Sequence, residues 1–299
     1  MEKRWNIQID PELEGSSIRQ ILREKLRLSK NQISRIKFQE SGILLNGERK
    51  RVTDMVKAGD NLSVLLEREE KISYLEPESG EISVLYEDED LLLIKKERGI
   101  VCHPGPGHYK NSLANQVTRY LLEKKENAVI REVGRLDRDT SGIVVFAKNR
   151  IAAQKLSKQR EKGLFWKQYI AAIDGILEKK EGEIRLPIGP KQGSLLKMCV
   201  RKDGKAGITR YQVIREYETK SILLCTLLTG RTHQIRVHMA AIGHPILGDE
   251  LYGSEKTAQV KGLCLHAYKV CLFQPFTGEK IETVWKLEKE QWQEPHDLL

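Results

Sequence analysis

The sequence has no apolar run long enough to cross a membrane. Its longest uninterrupted apolar stretches, such as residues 91–94 and 143–147, are short, whereas a membrane-spanning helix needs roughly 18 apolar residues. The first ten residues also lack the apolar core that a secretion signal requires. We therefore expect a cytoplasmic protein that does not bind a membrane.

The sequence also lacks the residue spacings that are typical of disulfide frameworks and metal sites. The five cysteines are odd in number, dispersed and never spaced as Cys-x-x-Cys, which argues against a disulfide framework and against a zinc site. His103 and His108 share one turn-rich loop, but no further ligands are spaced to complete a metal site around them. We expect reduced, buried cysteines and no bound metal.

Positive charge is what the sequence has in excess. Its 299 residues contain 51 Lys and Arg against 42 Asp and Glu, a formal net charge of +9. An anionic partner is expected, and nucleic acid is favoured over membrane because no basic amphipathic anchor or lipidation motif is present. A cationic surface that only confers solubility is the alternative.

Residues 15–66 predict a compact unit of two short helices followed by strands. Ser17 and Ser29 are each placed to cap one of the helices. Gly42 is predicted to end the second helix, and Asn46-Gly47 to form a tight turn between two strands.

This unit carries most of the charge asymmetry, with eleven Lys or Arg against five Asp or Glu between positions 15 and 60. Lys30 and Lys37 lie seven residues apart on one face of the second predicted helix, and Arg49 and Arg51 follow the turn. Such a distribution suits contacts with nucleic-acid phosphates. A solvated charged face is the alternative.

The order of these N-terminal elements resembles the αL-type RNA-binding module first known from ribosomal protein S-four. The resemblance implies that the unit binds structured RNA. The charged segment 67–81 contains Pro and Gly and is predicted to be a linker. Residues 1–75 and 76–299 are therefore expected to form separate domains.

A carboxylate between two arginines marks residues 134–142, whose sequence is GRLDRDTSG. A turn-prone Asp-Thr-Ser-Gly follows Arg138, and an apolar run at 143–147 comes next. This pattern predicts that Asp137 lies on a loop entering a buried strand, a common place for reactive residues. A surface salt bridge is the alternative for the same pattern.

A second informative stretch is TGRTHQIRVHM at residues 229–239. Thr232 is predicted to cap a helix that Gly243 ends. Arg231, His233 and Arg236 then crowd the helix N-terminus, where cations oppose the helix dipole unless an anion meets them. Pairing of Arg231 with a purely structural acid is the alternative.

Between residues 82 and 285, helices are interspersed among many predicted strands. The strands are predicted at 82–85, 91–94, 143–147, 166–173, 210–214, 221–228, 263–273 and 281–285. Residues 174–207 have no clear pattern. The whole predicts an α+β domain built on a largely antiparallel mixed sheet.

These motifs together resemble the RluA-type RNA pseudouridine synthases. The matching residues, in family order, are Arg135-Leu136-Asp137 with 139–142, Lys167-x-Tyr169, 230–238 and Leu265-His266-Ala267. The resemblance implies the pseudouridine synthase fold and isomerisation of uridine in RNA by a monomer, without metal or organic cofactor. By family analogy the substrate would be ribosomal RNA of the large subunit, with transfer RNA second.

The resemblance also implies residue roles. Asp137 would be the nucleophile, Arg231 would pair with its carboxylate, and Tyr169 would stack beneath the target base and be a candidate for taking the proton from carbon five. Arg135 would contact RNA and help fill the space left by the extruded base. Gly134 departs from the family, which usually has His there.

Two other functions compete with this one. A ribosome-assembly protein that binds RNA without catalysis would carry the same basic N-terminal unit. A phosphodiesterase would use Asp137, Asp139 and Asp249 to hold two metal ions.

Overall fold

The computed structural model describes residues 3–26, 28–67, 75–105, 110–126, 129–194, 196–258 and 260–287. The chain divides into two compact units. Unit 1 contains Met1–Tyr74 with the short segments Lys125–Val129 and Asn149–Ile151, and unit 2 contains the remainder. The predicted linker lies partly, and His108 wholly, outside the described residues. Within the described ranges, no helix is long and apolar enough to cross a membrane.

Unit 1 combines two short helices with an antiparallel sheet. A 3-10 turn (Pro11–Leu13) precedes the helices α1 (Ile18–Glu24) and α2 (Lys30–Lys37), and the strands are β1 (Lys3–Gln8), β2 (Ile43–Leu45), β3 (Glu48–Arg49) and β4 (Asn61–Glu67). The sheet order is β1, β4, β2, β3. Strand β1 was not predicted from the sequence.

The predicted helix caps and turn of unit 1 are confirmed. The hydroxyls of Ser17 and Ser29 each accept a hydrogen bond from the backbone amide three residues later. Asn46 and Gly47 have φ angles of 54° and 84°, as a tight hairpin turn requires. The prediction for Gly42 is wrong, because α2 already ends at Lys37. Glycine is needed there for space, since a Cβ would lie 1.8 Å from the Ile36 carbonyl oxygen.

Unit 2 contains most of the strands. They are β5 (Ser83–Glu87), β6 (Leu91–Lys96), β7 (Arg131–Glu132), β8 (Ser141–Ala147), β9 (Trp166–Asp174), β10 (Glu181–Arg185), β11 (Ile188–Pro190), β12 (Met198–Val200), β13 (Ile208–Glu216), β14 (Lys220–Leu227), β15 (Leu265–Phe273) and β16 (Lys280–Val284). The helices are α3 (Leu113–Glu123), α4 (Arg150–Glu161), α5 (Gln234–Ala241) and α6 (Glu255–Ala258).

The large sheet of unit 2 has the order β10, β13, β14, β9, β15, β8, β6, β5, with β16 paired to β15 and β7 to β8. Only β8 and β15 pair in parallel among the described strands. The predicted α+β class and largely antiparallel mixed sheet are therefore confirmed. Strand β8 is buried along its whole length, and its side chains Ile143 and Val145 join a core with Leu91, Leu93 and Leu156.

The cysteines are free thiols, and four of the five are buried. Cys199 is only half-buried, so the expectation that the cysteines are buried is wrong for this residue.

Candidate active site

One cleft of unit 2 brings together the stretches that the sequence singled out. Asp137 comes from the loop before β8, Tyr169 from β9, and residues 229–236 from the segment that enters α5. All of them line a cleft of about 760 Å³. Such a volume suits a site for a small organic group such as a nucleobase.

Two buried lysines hold the loop that carries Asp137. Lys167 donates from Nζ to the carbonyl oxygens of Gly134 at 2.9 Å and Ile143 at 3.0 Å. Lys96 donates from Nζ to the carbonyl of Arg138 at 2.8 Å. Burial lowers the pKa of each lysine to about 8. The backbone is thus fixed on both sides of the carboxylate.

The junction of β8 and β15 anchors the end of the same loop. Gly142 has a φ of 130°, and a Cβ there would lie 2.4 Å from both N and Cβ of Ala267. Ser141 Oγ lies 2.9 Å from His266 Nδ1, and His266 Nε2 lies 2.9 Å from the Trp285 carbonyl oxygen. A carbonyl can only accept, so Nε2 carries the proton and Nδ1 accepts from the Ser141 hydroxyl. Burial lowers the pKa of His266 to about 4, which keeps this ring neutral.

Asp137 faces two basic side chains of the α5 entrance. Its Oδ2 lies 3.7 Å from Arg236 Nη1, and its Oδ1 lies 3.8 Å from His233 Nε2. Arg236 is buried and also binds Asp249 through two hydrogen bonds of 2.8 Å and 2.7 Å. The Arg236 guanidinium therefore lies within ion-pair distance of two carboxylates, those of Asp137 and Asp249. Burial lowers the pKa of His233, so its ring is neutral near pH 7 despite the nearby Asp137 charge.

The predicted pairing of Asp137 with Arg231 is not the arrangement in the structure. Arg231 donates from Nε to the carbonyl of Ala206 at 2.9 Å. Helix α5 begins only at Gln234, so His233 and Arg236, three residues apart, share the face toward Asp137. Arg231 precedes that helix. The sequence placed all three residues at the helix entrance, and the catalytic role predicted for Arg231 stays a prediction.

The predicted cap of α5 is also wrong. His233, not Thr232, occupies the N-cap position, with a φ of 55° and no side-chain cap hydrogen bond. Gln234 organises this entrance instead, because its Oε1 accepts from the Arg231 amide at 3.0 Å and from the Thr229 hydroxyl at 2.7 Å. A positive φ at a non-glycine residue marks a locally strained site.

Tyr169 lies on β9 and is 6% exposed. Burial and then the charge of Asp137 raise the pKa of its phenol above the ordinary value. The phenol is therefore protonated at neutral pH. Any event that neutralised Asp137 would lower that pKa again.

The remaining predicted residues are accessible. Arg135 is exposed on the cleft and has no hydrogen bond or ion pair with any described residue. Lys30 and Lys37 of α2, Arg49 of β3 and the following Arg51 are exposed on unit 1.

The three acids that the phosphodiesterase alternative requires, Asp137, Asp139 and Asp249, do not form a common metal site in the described structure. Asp249 is 1% exposed, and its oxygens accept from Arg236 and from the amides of Leu251 and Tyr252. Asp139 pairs with Arg138 at 3.0 Å. Among the described residues, no group of three His, Cys, Asp or Glu side chains is placed to hold a metal ion.

The cleft places Asp137 near Arg135, Arg231 and Arg236, an arrangement that suits an anionic substrate. Comparison with known proteins identifies the family. Residues 90–241 match the RNA pseudouridylate synthase family, and residues 5–62 match the N-terminal domain of the RluD ribosomal pseudouridine synthase.

Two curated relatives and one solved structure illustrate the match. "Uncharacterized RNA pseudouridine synthase YhcT" of Bacillus subtilis is 36% identical over 92% of this chain and 91% of its own. "Ribosomal large subunit pseudouridine synthase D" of Neisseria meningitidis is 30% identical over 94% of this chain and 78% of its own. The structure of human RNA pseudouridylate synthase domain containing 1 superposes with a TM-score of 0.61 at 26% identity, covering 75% of this chain and 93% of that one.

The chain belongs to the RNA pseudouridine synthase family. The family predicted from the motifs is confirmed, and the protein is an isomerase that acts on RNA.

Proposed function

We propose that this protein converts uridine to pseudouridine in ribosomal RNA of the large subunit, with Asp137 as nucleophile. The observation that carries the proposal is the convergence of Asp137, Tyr169 and Arg236 in one cleft. The choice of RNA is supported by relatives named ribosomal large subunit pseudouridine synthase D. Transfer RNA is the second candidate.

The reaction breaks the bond from the sugar to N1 of uracil and forms one from the same sugar carbon to carbon five. The proton on carbon five leaves, and N1 gains a proton, so the product is an isomer. A carboxylate that forms a covalent intermediate can hold the fragments while the base turns. Arg236 places a positive charge 3.7 Å from the Asp137 carboxylate, and the buried lysines fix the backbone around Asp137.

Tyr169 is proposed to support the base and to take up the proton from carbon five. A protonated phenol is a poor base, and the charge of Asp137 helps to keep it protonated. Covalent bond formation removes that charge. This step removes the second-largest of the causes that raise the pKa of Tyr169, while burial, the largest cause, remains.

Unit 1 is proposed to bind structured RNA through Lys30, Lys37, Arg49 and Arg51, and residues 1–75 to act as the RNA-binding domain. Arg135 is proposed to contact RNA at the cleft. Extruding a base from a helix costs a few kcal/mol, which binding across these cations would offset. The protein is proposed to act as a monomer.

Release of tritium from RNA labelled at carbon five of uridine tests the proposal. We expect release from transcripts of large-subunit ribosomal RNA, loss of release in Asp137→Asn, and retained RNA binding. Asp139→Asn is the matched control, because Asp139 lies two residues away in the same loop and pairs with Arg138. Release by the Asp137 variant would refute its role, release only from transfer RNA would reassign the substrate, and absence of release would favour a non-catalytic RNA-binding protein.

A further inference from the structure

Arg160 is a cleft residue to which no role has yet been given. It lies near the end of α4, is exposed, and lines the same cleft as Asp137 and Tyr169. Its side chain makes no hydrogen bond or ion pair with any described residue. A guanidinium that folding has not paired is available to an external anion.

Two glycines leave space for this guanidinium. A Cβ at Gly230 would lie 2.4 Å from Arg160 Nη2, and one at Gly134 would lie 3.5 Å from Arg160 Nη1. Around Gly230, Arg160 supplies the only described atoms that a Cβ would meet within 4 Å. Gly230 is not among the residues with positive φ, so its backbone does not require glycine. The space at position 230 is therefore used by Arg160.

The charge of Arg160 reaches the interior of the cleft. It lowers the pKa of Tyr169 and of Lys167, although burial dominates both values. Arg135 lines the same cleft without a described partner. Arg160 and Arg135 are thus two cations of one cleft without a hydrogen-bond or ion-pair partner among the described residues.

We propose that Arg160 binds a backbone phosphate of the RNA strand beside the uridine that is modified, and that Gly230 keeps its guanidinium in the cleft. The inference rests on the proposed function and adds a substrate contact to it. A planar guanidinium binds phosphate through two parallel hydrogen bonds. Such a contact positions the strand without reading its sequence.

Steady-state tritium release from labelled transcripts of large-subunit ribosomal RNA tests the contact. In Arg160→Ala, we expect KM to rise about tenfold, as for loss of one charge-assisted hydrogen-bonded contact, with kcat changed less than about twofold. The slope of log KM against log salt concentration should fall by about one. Lys158→Ala is the matched control: it removes an equal charge from an exposed position of α4 outside the cleft, and KM should stay unchanged.

Gly230→Ala gives an independent test. Its new methyl group would displace the guanidinium, so the single variant should raise KM as Arg160→Ala does. In the Arg160→Ala background the obstruction is gone, so adding Gly230→Ala should have no further effect on KM. Arg160→Lys keeps the charge and should restore the salt slope and part of KM.

Three results would overturn the inference. The first is an unchanged KM and salt slope in Arg160→Ala. The second is additive effects of the Arg160 and Gly230 variants on KM. The third is failure of Arg160→Lys to restore the salt slope, because that result would indicate that Arg160 stacks on a base. Failure of the proposed function is a separate outcome, because the unaltered protein would then release no tritium.

Discussion

Arg236 lies between the carboxylates of Asp137 and Asp249. Its contact with both distinguishes it from Arg231. Asp249 takes two of its donors at hydrogen-bond distance, while Asp137 lies 3.7 Å from the third nitrogen. Asp249 thereby orients the guanidinium and leaves Asp137 close to a positive charge but free of a tight hydrogen bond. The proposed attack by Asp137 therefore does not require a tight hydrogen bond from Arg236 to be broken.

Replacing the two arginines separately should reveal which one supports the chemistry. We expect Arg236→Gln to lower kcat at least 100-fold, as for loss of a preorganised charge in a catalytic site. Arg231→Gln should change kcat less than about threefold, because Arg231 bonds to a backbone carbonyl and not to Asp137. Tritium release measures both, and thermal unfolding checks that each variant is folded. A larger loss in the Arg231 variant would restore the pairing predicted from the sequence.

The residues of the site were predictable in part. Asp137 and Tyr169 lie in short motifs whose positions do not depend on distant geometry. The choice between Arg231 and Arg236 depends on where α5 begins, and Gln234 sets that point through hydrogen bonds that sequence patterns do not reveal. Lys96 and Lys167 were missed as supports of the loop because buried lysines are rare.

At the scale of elements, the junction of β8 and β15 holds the Asp137 loop in place. Gly142→Ala should destabilise the protein by about 3 kcal/mol or more, because a Cβ would overlap Ala267 and strain a backbone with positive φ. Gly163→Ala is the control: Gly163 has a φ of 69° and no described atom within 4 Å of a Cβ. It should cost about 1 kcal/mol. Urea unfolding followed by tryptophan fluorescence measures both, and equal losses would contradict the role of the close contact.

A cluster around Glu87 joins β5, α3 and the end of β8. Burial by itself raises the pKa of Glu87, but hydrogen bonds from Lys124, Lys148 and Tyr120 outweigh it and lower the pKa to about 2. The folded pKa is below the unfolded value of 4.5, so this stabilisation is complete above pH 4.5 and is lost as pH falls toward 2.

Glu87→Gln should therefore lower the free energy of unfolding by about 2 kcal/mol at pH 7, and the difference from the unaltered protein should shrink below pH 4.5. Glu123→Gln removes an exposed ion pair with Arg119 and should cost less than about 0.5 kcal/mol. Urea unfolding at pH 7, 4.5 and 3 is the measurement. A difference that grew as pH fell would contradict the sign of this linkage.

The elements were predictable where their pattern was regular. Strands β6, β8, β9, β14 and β15 follow apolar stretches and were assigned from them. Strands β10, β11 and β12 lie in 174–207, where short strands rich in charged and turn residues leave no period to recognise. The placement of β15 between β8 and β9 was not predictable because it joins residues more than ninety positions apart.

At the scale of the whole molecule, we expect RNA binding to depend on unit 1 and the chemical step to depend on unit 2. Replacing Lys30, Lys37, Arg49 and Arg51 together with Gln should weaken RNA binding and lower its salt slope by about three. The kcat for tritium release should remain within about twofold, because none of the four residues lines the cleft. Filter binding across a salt titration measures the slope, and replacing four exposed lysines of unit 2 outside the cleft, Lys179, Lys191, Lys202 and Lys205, with Gln controls for net charge. An unchanged salt slope would contradict the proposal that unit 1 binds RNA through these four residues.

The place of β15 determines when the cleft can exist during synthesis. Strands β5, β6 and β8 form one half of the large sheet, and β9, β14, β13 and β10 form the other. Among the described strands, only β15 pairs with both halves, with β8 on one side and β9 on the other. Asp137 precedes a strand of the first half and Tyr169 lies in the second. During synthesis we therefore expect strand pairing between the halves to wait until residues 265–273 have left the ribosome, with only side-chain bonds such as those of Lys167 to Gly134 and Ile143 available before then.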